Sequence, residues 1–519
     1  MQTVNRVVVL AADGTGQPTD EEVLAALAPR FSVSTAGRSR TMRRTWLDTF
    51  DWRLHRAGLT LEHLTGPRPG ELVLTGPGGE IITQRASRLT WPALAMALPA
   101  GPVRDRLRAV AGVRALLPAA RAASAVQDMR VLNPDTKTIA WISRDRTAVS
   151  YPAATQLPAR LQVTPVRGYQ AQAERVAQVL AAAAGDGSPA VRPLDAALAA
   201  AGRRAEDYSN KIDVGLTPGM PARLAMRVVL LRLLDTLQAN VPGTIRDIDT
   251  EFLHDLRVSV RRTRSALKLA GDVLPAGLPA RFRGEFKWLG DLTTPTRDLD
   301  VYLLNYHDMA AGLVSASAAE LEPFHEHLGR RRAVEQRQLA RGLRSARFSR
   351  LAGDWRAALT DLAPPAGGRR AADVATDRIS RAHRRVLRQG QAITGDSPAE
   401  RLHDLRKRCK ELRYLLEFFA SLFDPVAHQR VVKDLKGLQD CLGEFQDRQV
   451  QQQEIREFAA QMMTDRDLPA TALLAMGELA GQVGLCQQRA REEFAGRFRE
   501  FASPASERRF RSLTSGVRR

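Results

Sequence analysis

The sequence predicts an α+β N-terminal domain built on an antiparallel sheet, followed by an all-α domain of two pseudo-symmetric helical bundles. Three observations predict it. Strand-like runs between turn signals fill the first part of the chain. Apolar residues at helical spacing dominate everything after about residue 222. A stretch of that helical part also occurs twice, 149 positions apart. The expected layout is a first domain at 1–215, a linker at 216–221 ("LTPGMP") and a helical domain at 222–519, with half-repeats about 222–362 and 371–505.

In the first domain "NRVVVLAA", "ELVLTGPGGEIITQ", "TIAWIS" and "ARLQVTPV" read as strands. The "GPGG" at 76–79 joins two alternating runs as a hairpin. Helical patches are expected at about 103–123 and 169–184. The segments "AAAAGDGSPAVRP" at 181–193 and "DGTGQP" at 13–18 read as loop and turn. The latter lacks the Gly-Lys-Ser/Thr ending of a phosphate-binding loop. Beyond residue 222, "LAMRVVLLRLLDTLQA", "FRGEFKWLGDL", "RISRAHRRVLRQ" and "VVKDLKGLQDCLGEF" carry the helical period. The tail "ERRFRSLTSGVRR" reads as a basic, disordered segment assisting electrostatic binding.

Bulk properties bound the function. The chain has 519 residues and a net charge of +20, and the excess is not confined to one half: residues 1–220 hold 27 Lys+Arg against 19 Asp+Glu. Such a balance favours a polyanionic partner. No run of about 18 apolar residues indicates a transmembrane helix, and the first residues lack the apolar region of a signal peptide. Cys409, Cys441 and Cys486 have no metal-ligand spacing and suggest a reducing cytoplasm, as small buried apolar residues.

The repeat carries the chemistry. "HDLRVSVRRTRSALK" begins at His254, and "HDLRKRCKELRYLLEFF" begins at His403. In the first copy His254, Arg257, Arg261, Arg264 and Lys268 step by 3, 4, 3 and 4. His403, Arg406, Lys410 and Arg413 repeat the steps. An apolar seam runs one residue behind: Leu253, Leu256, Val260, Thr263 and Leu267, with Leu402, Leu405, Cys409, Leu412 and Leu416 as its twin. One residue is about 100° around a helix. Each helix therefore buries one stripe and carries a cationic stripe beside it.

Like charges on adjacent turns oppose helix formation, so a merely solvated basic face would interleave acids. A groove for an extended anion explains the pattern better, because packed halves would line one channel with Arg forks and Lys point charges. Arg281 and Lys287, with Arg430 and Lys436, are expected to add charge from the following helix. Each His is expected to hydrogen-bond phosphate or to gain a proton beside it, not to bind metal. Asp298 and Asp447 either orient the basic residues or cap helices.

These residues resemble the CHAD family, the conserved histidine α-helical domain, over about 222–505. Its hallmarks look like "LHDLRVSVRRTRSAL" and "LHDLRKRCKELRYLLEFF", each followed by a segment like "LGDLTTPTRDLDVYL" or "LKGLQDCLGEFQDRQV". The resemblance implies two helical bundles about an approximate two-fold and a basic surface that binds inorganic polyphosphate without catalysis. It also implies association with polyphosphate granules and a site including His254, Arg257, Arg261, Arg264, Lys287, His403, Arg406, Lys410, Arg413 and Lys436. Arg297-Asp298 keeps the family's "RD"; Gln446-Asp447 departs from it and implies a weaker contact.

"TWLDTFDWRLHRAGLTLEHL" at 45–64, with "TIAWISRD" and "RLQVTPVRGY", resembles the CYTH family of triphosphate tunnel enzymes, which implies an antiparallel β tunnel or barrel. Those enzymes hold Mg²⁺ or Mn²⁺ on an E-x-E-x-K strand. Here "RFSVSTAGR" carries no Glu, and Gln162-Val163-Thr164 stands where a second acidic strand is expected. Without carboxylates a divalent ion has no hard oxygen site. The expected reading is a degenerate tunnel domain with no metal, cofactor or catalytic residue. The alternatives are an active inorganic triphosphatase, or a nucleic-acid binder, which would need more stacking aromatics than the 5% present. Reversing the charge of Arg257 and Arg406 together is expected to weaken polyphosphate binding without unfolding the chain.

Overall fold

The computed structural model describes residues 6–9, 19–67, 69–184, 192–363, 367–464 and 469–516. The turn expected at 13–18 lies outside the described residues. The chain divides into two compact units, Met1–Ser209 and Asn210–Arg519.

The first unit is an antiparallel sheet with peripheral helices. Its strands are β1 (Arg6–Val9), β2 (Ser32–Thr35), β3 (Arg40–Thr49), β4 (Thr60–Thr65), β5 (Glu71–Thr75), β6 (Ile81–Arg85), β7 (Ala93–Leu94), β8 (Ala115–Leu132), β9 (Thr138–Tyr151), β10 (Thr155–Gln156) and β11 (Arg160–Pro165). Its helices are α1 (Asp20–Ala25), α2 (Arg53–Arg56), α3 (Pro102–Ala111), α4 (Gln170–Ala183) and α5 (Pro193–Ala199). The main strand path runs β1-β11-β9-β8-β3-β4-β5-β6 and ends at β1 and β6, so hydrogen bonding among the described residues does not close it into a barrel. The hairpin at 76–79 joins β5 to β6, pairing Thr75 with Ile81. The helix at 169–184 also forms.

The helix expected over 103–123 stops at Ala111, and the Ala-rich text beyond it becomes β8. Alanine favours a helix locally. Here Pro118 breaks the helical pattern, and β3 and β9 pair with this segment on both edges. The backbone groups are satisfied by neighbours, and that overrides propensity.

The second unit holds ten α-helices among its described residues. The first five are α6 (Ala222–Ile245), α7 (Thr250–Leu269), α8 (Gly277–Ala311), α9 (Ala318–Leu343) and α10 (Ala346–Thr360). The next five are α11 (Ala371–Gln391), α12 (Ala399–Phe418), α13 (Pro425–Thr464), α14 (Ala470–Phe501) and α15 (Pro504–Ser515). Each half is a run of five helices, and α6/α11 and α7/α12 begin at the same 149-residue offset. The two halves share one core, to which Leu256, Leu289 and Trp355 contribute from the first half and Leu405, Leu438 and Phe501 from the second. A second cluster packs α8 and α9 on α13 and α14 through Tyr302, Phe324, Phe458 and Leu479.

Two expectations change here. The segment at 216–221 is no free linker: Leu216 is buried in the helical core, and the Met220 and Pro218 carbonyls accept from the Ala371 and Ala372 amides. The tail is helical as far as Ser515, because Phe510 and Leu513 bury an apolar face and Arg509 pairs with Asp434 at 2.7 Å. No described helix is long and apolar enough to cross a membrane.

Candidate functional site

Helix α7 starts because Asp249 accepts from the Glu251 and Phe252 amides, satisfying two free donors of its first turn. From there the seam read in the sequence is buried along its whole length. Leu253, Leu256, Val260, Thr263 and Leu267 are at most 3% exposed, and so are Leu402, Leu405, Cys409, Leu412 and Leu416 on α12. With the seams anchored inward, the residues one position on must emerge beside them.

The cationic stripes divide into a centre and two flanks. At the centre stand Arg261 and Lys410, equivalent residues of the two halves. Burial pushes Lys410 down to about 8, helped by Arg406 of its own helix and by Arg261 and Arg257 of the other half, and opposed by Asp447. Neither Arg261 nor Lys410 has a hydrogen-bond or ion-pair partner among the described residues. Arg257 bonds the Thr294 hydroxyl, and its guanidinium lies 3.6 Å from Asp298; its equivalent Arg406 lies 2.8 Å from Asp447. The two aspartates therefore orient the basic residues, one of the roles left open by the sequence. Burial pushes Asp298 up, against Arg257, Arg297 and Arg261, while Asp447 adds to the rise. Five cations, Arg257, Arg261, Arg297, Arg406 and Lys410, thus gather in one field with two carboxylates.

Arg297 is a site residue that the spacing argument missed, although the "RD" pair flagged it. Burial and then Arg297 push the His254 imidazole down, towards its neutral form. In the second half Gln446 replaces Arg297, and the His403 Nδ1 lies 2.6 Å from its Oε1. The departure from "RD" thus removes a cation and adds a hydrogen-bond partner for His403.

Away from the centre the stripes are less free. Arg264 lies across α8 over Gly290, where a Cβ would come within 2.9 Å of Nη1. Arg413, its equivalent, is held by Glu417 at 2.9 Å and Gln439 at 3.4 Å. Lys268 is taken by Glu411 at 2.6 Å.

The four residues expected from the next helix are not brought to this centre by any described contact. Arg281 reaches Asp354 of α10 at 3.0 Å and lines a separate cleft with Arg223 and Asp361. Lys287 pairs with Asp291 one turn on, at 2.7 Å. Arg430 and Lys436 are exposed on α13. Their spacing gave the right helix, but the face they occupy depends on packing.

In the first unit Arg44 of β3 spans Glu62 at 3.0 Å and Asp145 at 2.8 Å. Arg160, paired in register with Asp145, stands beside them, lowered by burial and by Arg44. Sequence reading missed these two carboxylates, which come from β4 and β9 and meet only through the sheet. Both are already neutralised by guanidinium groups, a donor set that does not fit a divalent cation. Among the described residues no three His, Cys, Asp or Glu side chains converge as metal ligands.

Comparison with known proteins bears on the helical unit. The CHAD domain family model matches residues 228–456. The solved CHAD domain from the plant Ricinus communis is 26% identical, covering 56% of this chain and 95% of its own, at a TM-score of 0.49. PptA from Streptomyces chartreusis is 18% identical, covering 54% and 99%, at 0.40. A protein from Bacillus halodurans provisionally described as an adenylate cyclase is 13% identical, covering 37% and 95%, at 0.27. No curated protein matches the chain. The duplicated His-Asp-Leu-Arg helices and their buried seams lie within residues 228–456, the stretch that the CHAD domain family model matches.

Proposed function

We propose that the helical unit binds inorganic polyphosphate as a non-catalytic receptor, in the field where the two cationic stripes approach each other. The observation that carries this reading is Lys410, whose charge is depressed by burial and by cations of both halves. A half-buried ammonium crowded by cations of both halves, with only Asp447 opposing them, destabilises the free protein. A chain of phosphates threading between Arg257, Arg261, Arg406 and Lys410 would relieve that repulsion at every residue. The polyphosphate-binding character implied by the CHAD resemblance supports the same ligand, and attachment to polyphosphate granules follows as a cellular role. For the first unit we propose no triphosphatase activity, because Arg44 and Arg160 already occupy the charge of Glu62 and Asp145.

The test is titration of the full chain with long-chain polyphosphate, beside the variant Arg261→Glu with Lys410→Glu. Neither residue makes an ion pair among the described residues, and the apolar seams stay intact, so the fold should survive. Loss of binding at least about tenfold is expected, the scale of one or two charge-assisted contacts. Undiminished affinity would overturn the assignment. Preferential displacement by single-stranded RNA would instead favour a nucleic-acid ligand.

A further inference from the structure

After α6 ends at Ile245 the chain turns through Asp247 towards α7, and α9 passes alongside. Between them lies a cleft of about 380 Å³. Ile245 and Asp247 form one wall. The other is α9, with Gln336 and Ala340 at the base and Arg337, Arg341 and Arg344 around the mouth.

The three arginines are exposed, and none has a hydrogen-bond or ion-pair partner among the described residues. Those nearer the start of the same helix are engaged. Arg330 lies 3.6 Å from Glu326, Arg331 bonds Gln461, and Arg332 bonds Asp300 at 2.8 Å. Asp247, the acid of the wall, has both oxygens taken by Arg332, Oδ1 at 2.6 Å. The carboxyl end of α9 opposes an anion with about half a charge, against three whole ones. Gln336 donates to the Thr244 carbonyl at 2.7 Å, which fixes the base of the cleft.

The corresponding place in the second half carries larger side chains. Ser345 and Ser503 cap α10 and α15 in the same way, each accepting from the amide three residues on. Aligned on these serines, Gln336 and Ala340 correspond to Phe494 and Phe498. Both rings are buried, and Phe498 lies so close to Gly390 that a Cβ there would approach to 2.0 Å. Arg337 and Arg344 correspond to Ala495 and Ala502. The small base residues and two of the three charges are therefore not repeated in the second half and are no part of the duplicated stripes.

We propose that this cleft is a second anion site, taking a compact diphosphate, either free or on a short organic group that rests on Ile245 and Ala340. Three convergent guanidinium groups match the oxygens of two adjacent phosphoryl units. The experiment is calorimetric titration with inorganic pyrophosphate, and separately with methyl diphosphate, of the full chain carrying Arg261→Glu and Lys410→Glu, which removes the stripe centre. Both ligands should bind, and adding Arg341→Gln with Arg344→Gln should weaken them at least about tenfold. Tighter binding of methyl diphosphate would assign an organic diphosphate, and equal or weaker binding the inorganic ion. A second variant, Ala340→Phe, keeps every charge and should block the cleft as Phe498 fills its counterpart. Absence of pyrophosphate binding in the starting variant, or binding indifferent to both further changes, would overturn the site. Failure of the polyphosphate reading appears separately, as long-chain binding that persists without Arg261 and Lys410.

Discussion

Lys268 meets Glu411 at 2.6 Å, and Arg262 meets Glu417 at 2.8 Å. Under the 149-residue offset these are one contact seen twice: Lys268 corresponds to Glu417, and Arg262 to Glu411. Both positions are cationic in the first half and anionic in the second. An identical pair of halves would set like charges together here; this pair sets opposite ones. The exchange favours one half upon the other and fixes the separation of α7 and α12, and hence of their stripes.

The Arg262–Glu417 pair is the more enclosed of the two, its side chains 14% and 19% exposed. Glu417→Lys should destabilise the chain by about 3 kcal/mol, as expected when one partner of a largely buried pair is lost. Adding Arg262→Glu should recover most of that in a denaturant titration. Lys268, whose side chain is 64% exposed, should matter much less. A double variant no more stable than Glu417→Lys would remove the complementarity argument.

Polyphosphate affinity should fall as pH rises from 7 to 9. Lys410 is pushed down to about 8, so it is charged below that value and neutral above it. Binding favours the charged form and should be accompanied by proton uptake near pH 8. Lys410→Arg should flatten the profile, since a guanidinium stays charged throughout. Lys410→Met should raise the melting temperature while weakening binding, because it removes a half-buried charge that lies among other cations. Parallel pH profiles for the parent and Lys410→Arg would remove Lys410 from the site.

His383 predicts an acid-side loss of stability. Burial, with Arg384 nearby, holds it at about 4, its Nε2 has no partner, and it stacks on Phe510 at 3.8 Å. The folded value lies below the unfolded one of about 6.5. The unfolded chain therefore takes up the proton first, and stability is full above about pH 6.5 and falls towards pH 4. The loss approaches roughly 3 kcal/mol across that window. Thermal melts of His383→Phe should lack this component; an unchanged slope would assign the acid sensitivity elsewhere.

In the first unit, Arg44→Gln should destabilise the sheet by about 2 kcal/mol, because Glu62 and Asp145 would keep only Arg160 nearby. Neither the parent nor this variant should hydrolyse tripolyphosphate with Mg²⁺ or Mn²⁺. Turnover by the parent, measured as phosphate release, would restore the triphosphatase alternative.

Much of this was legible in the text of the chain. The offset between His254 and His403 located the paired helices, and ten seam residues named from their spacing are all buried. Such features follow from local periodicity, since a 3–4 step puts side chains on one face whatever the helix packs against. The errors arose where distant chain decides. Alanines after residue 111 favour a helix, yet two neighbouring strands claim them. Arg281 has the right spacing but the wrong face, because α10 supplies Asp354.

By itself, then, the sequence determined which helices pair, which of their faces turn inward and which carry charge, because these depend on neighbours three and four residues away. Only the tertiary structure decided which charges remain free. Whether a cation finds a carboxylate depends on residues far along the chain: Glu411 is 143 positions from Lys268. The same holds for the cleft beside α9, where the difference between two halves of one fold is the volume of two side chains.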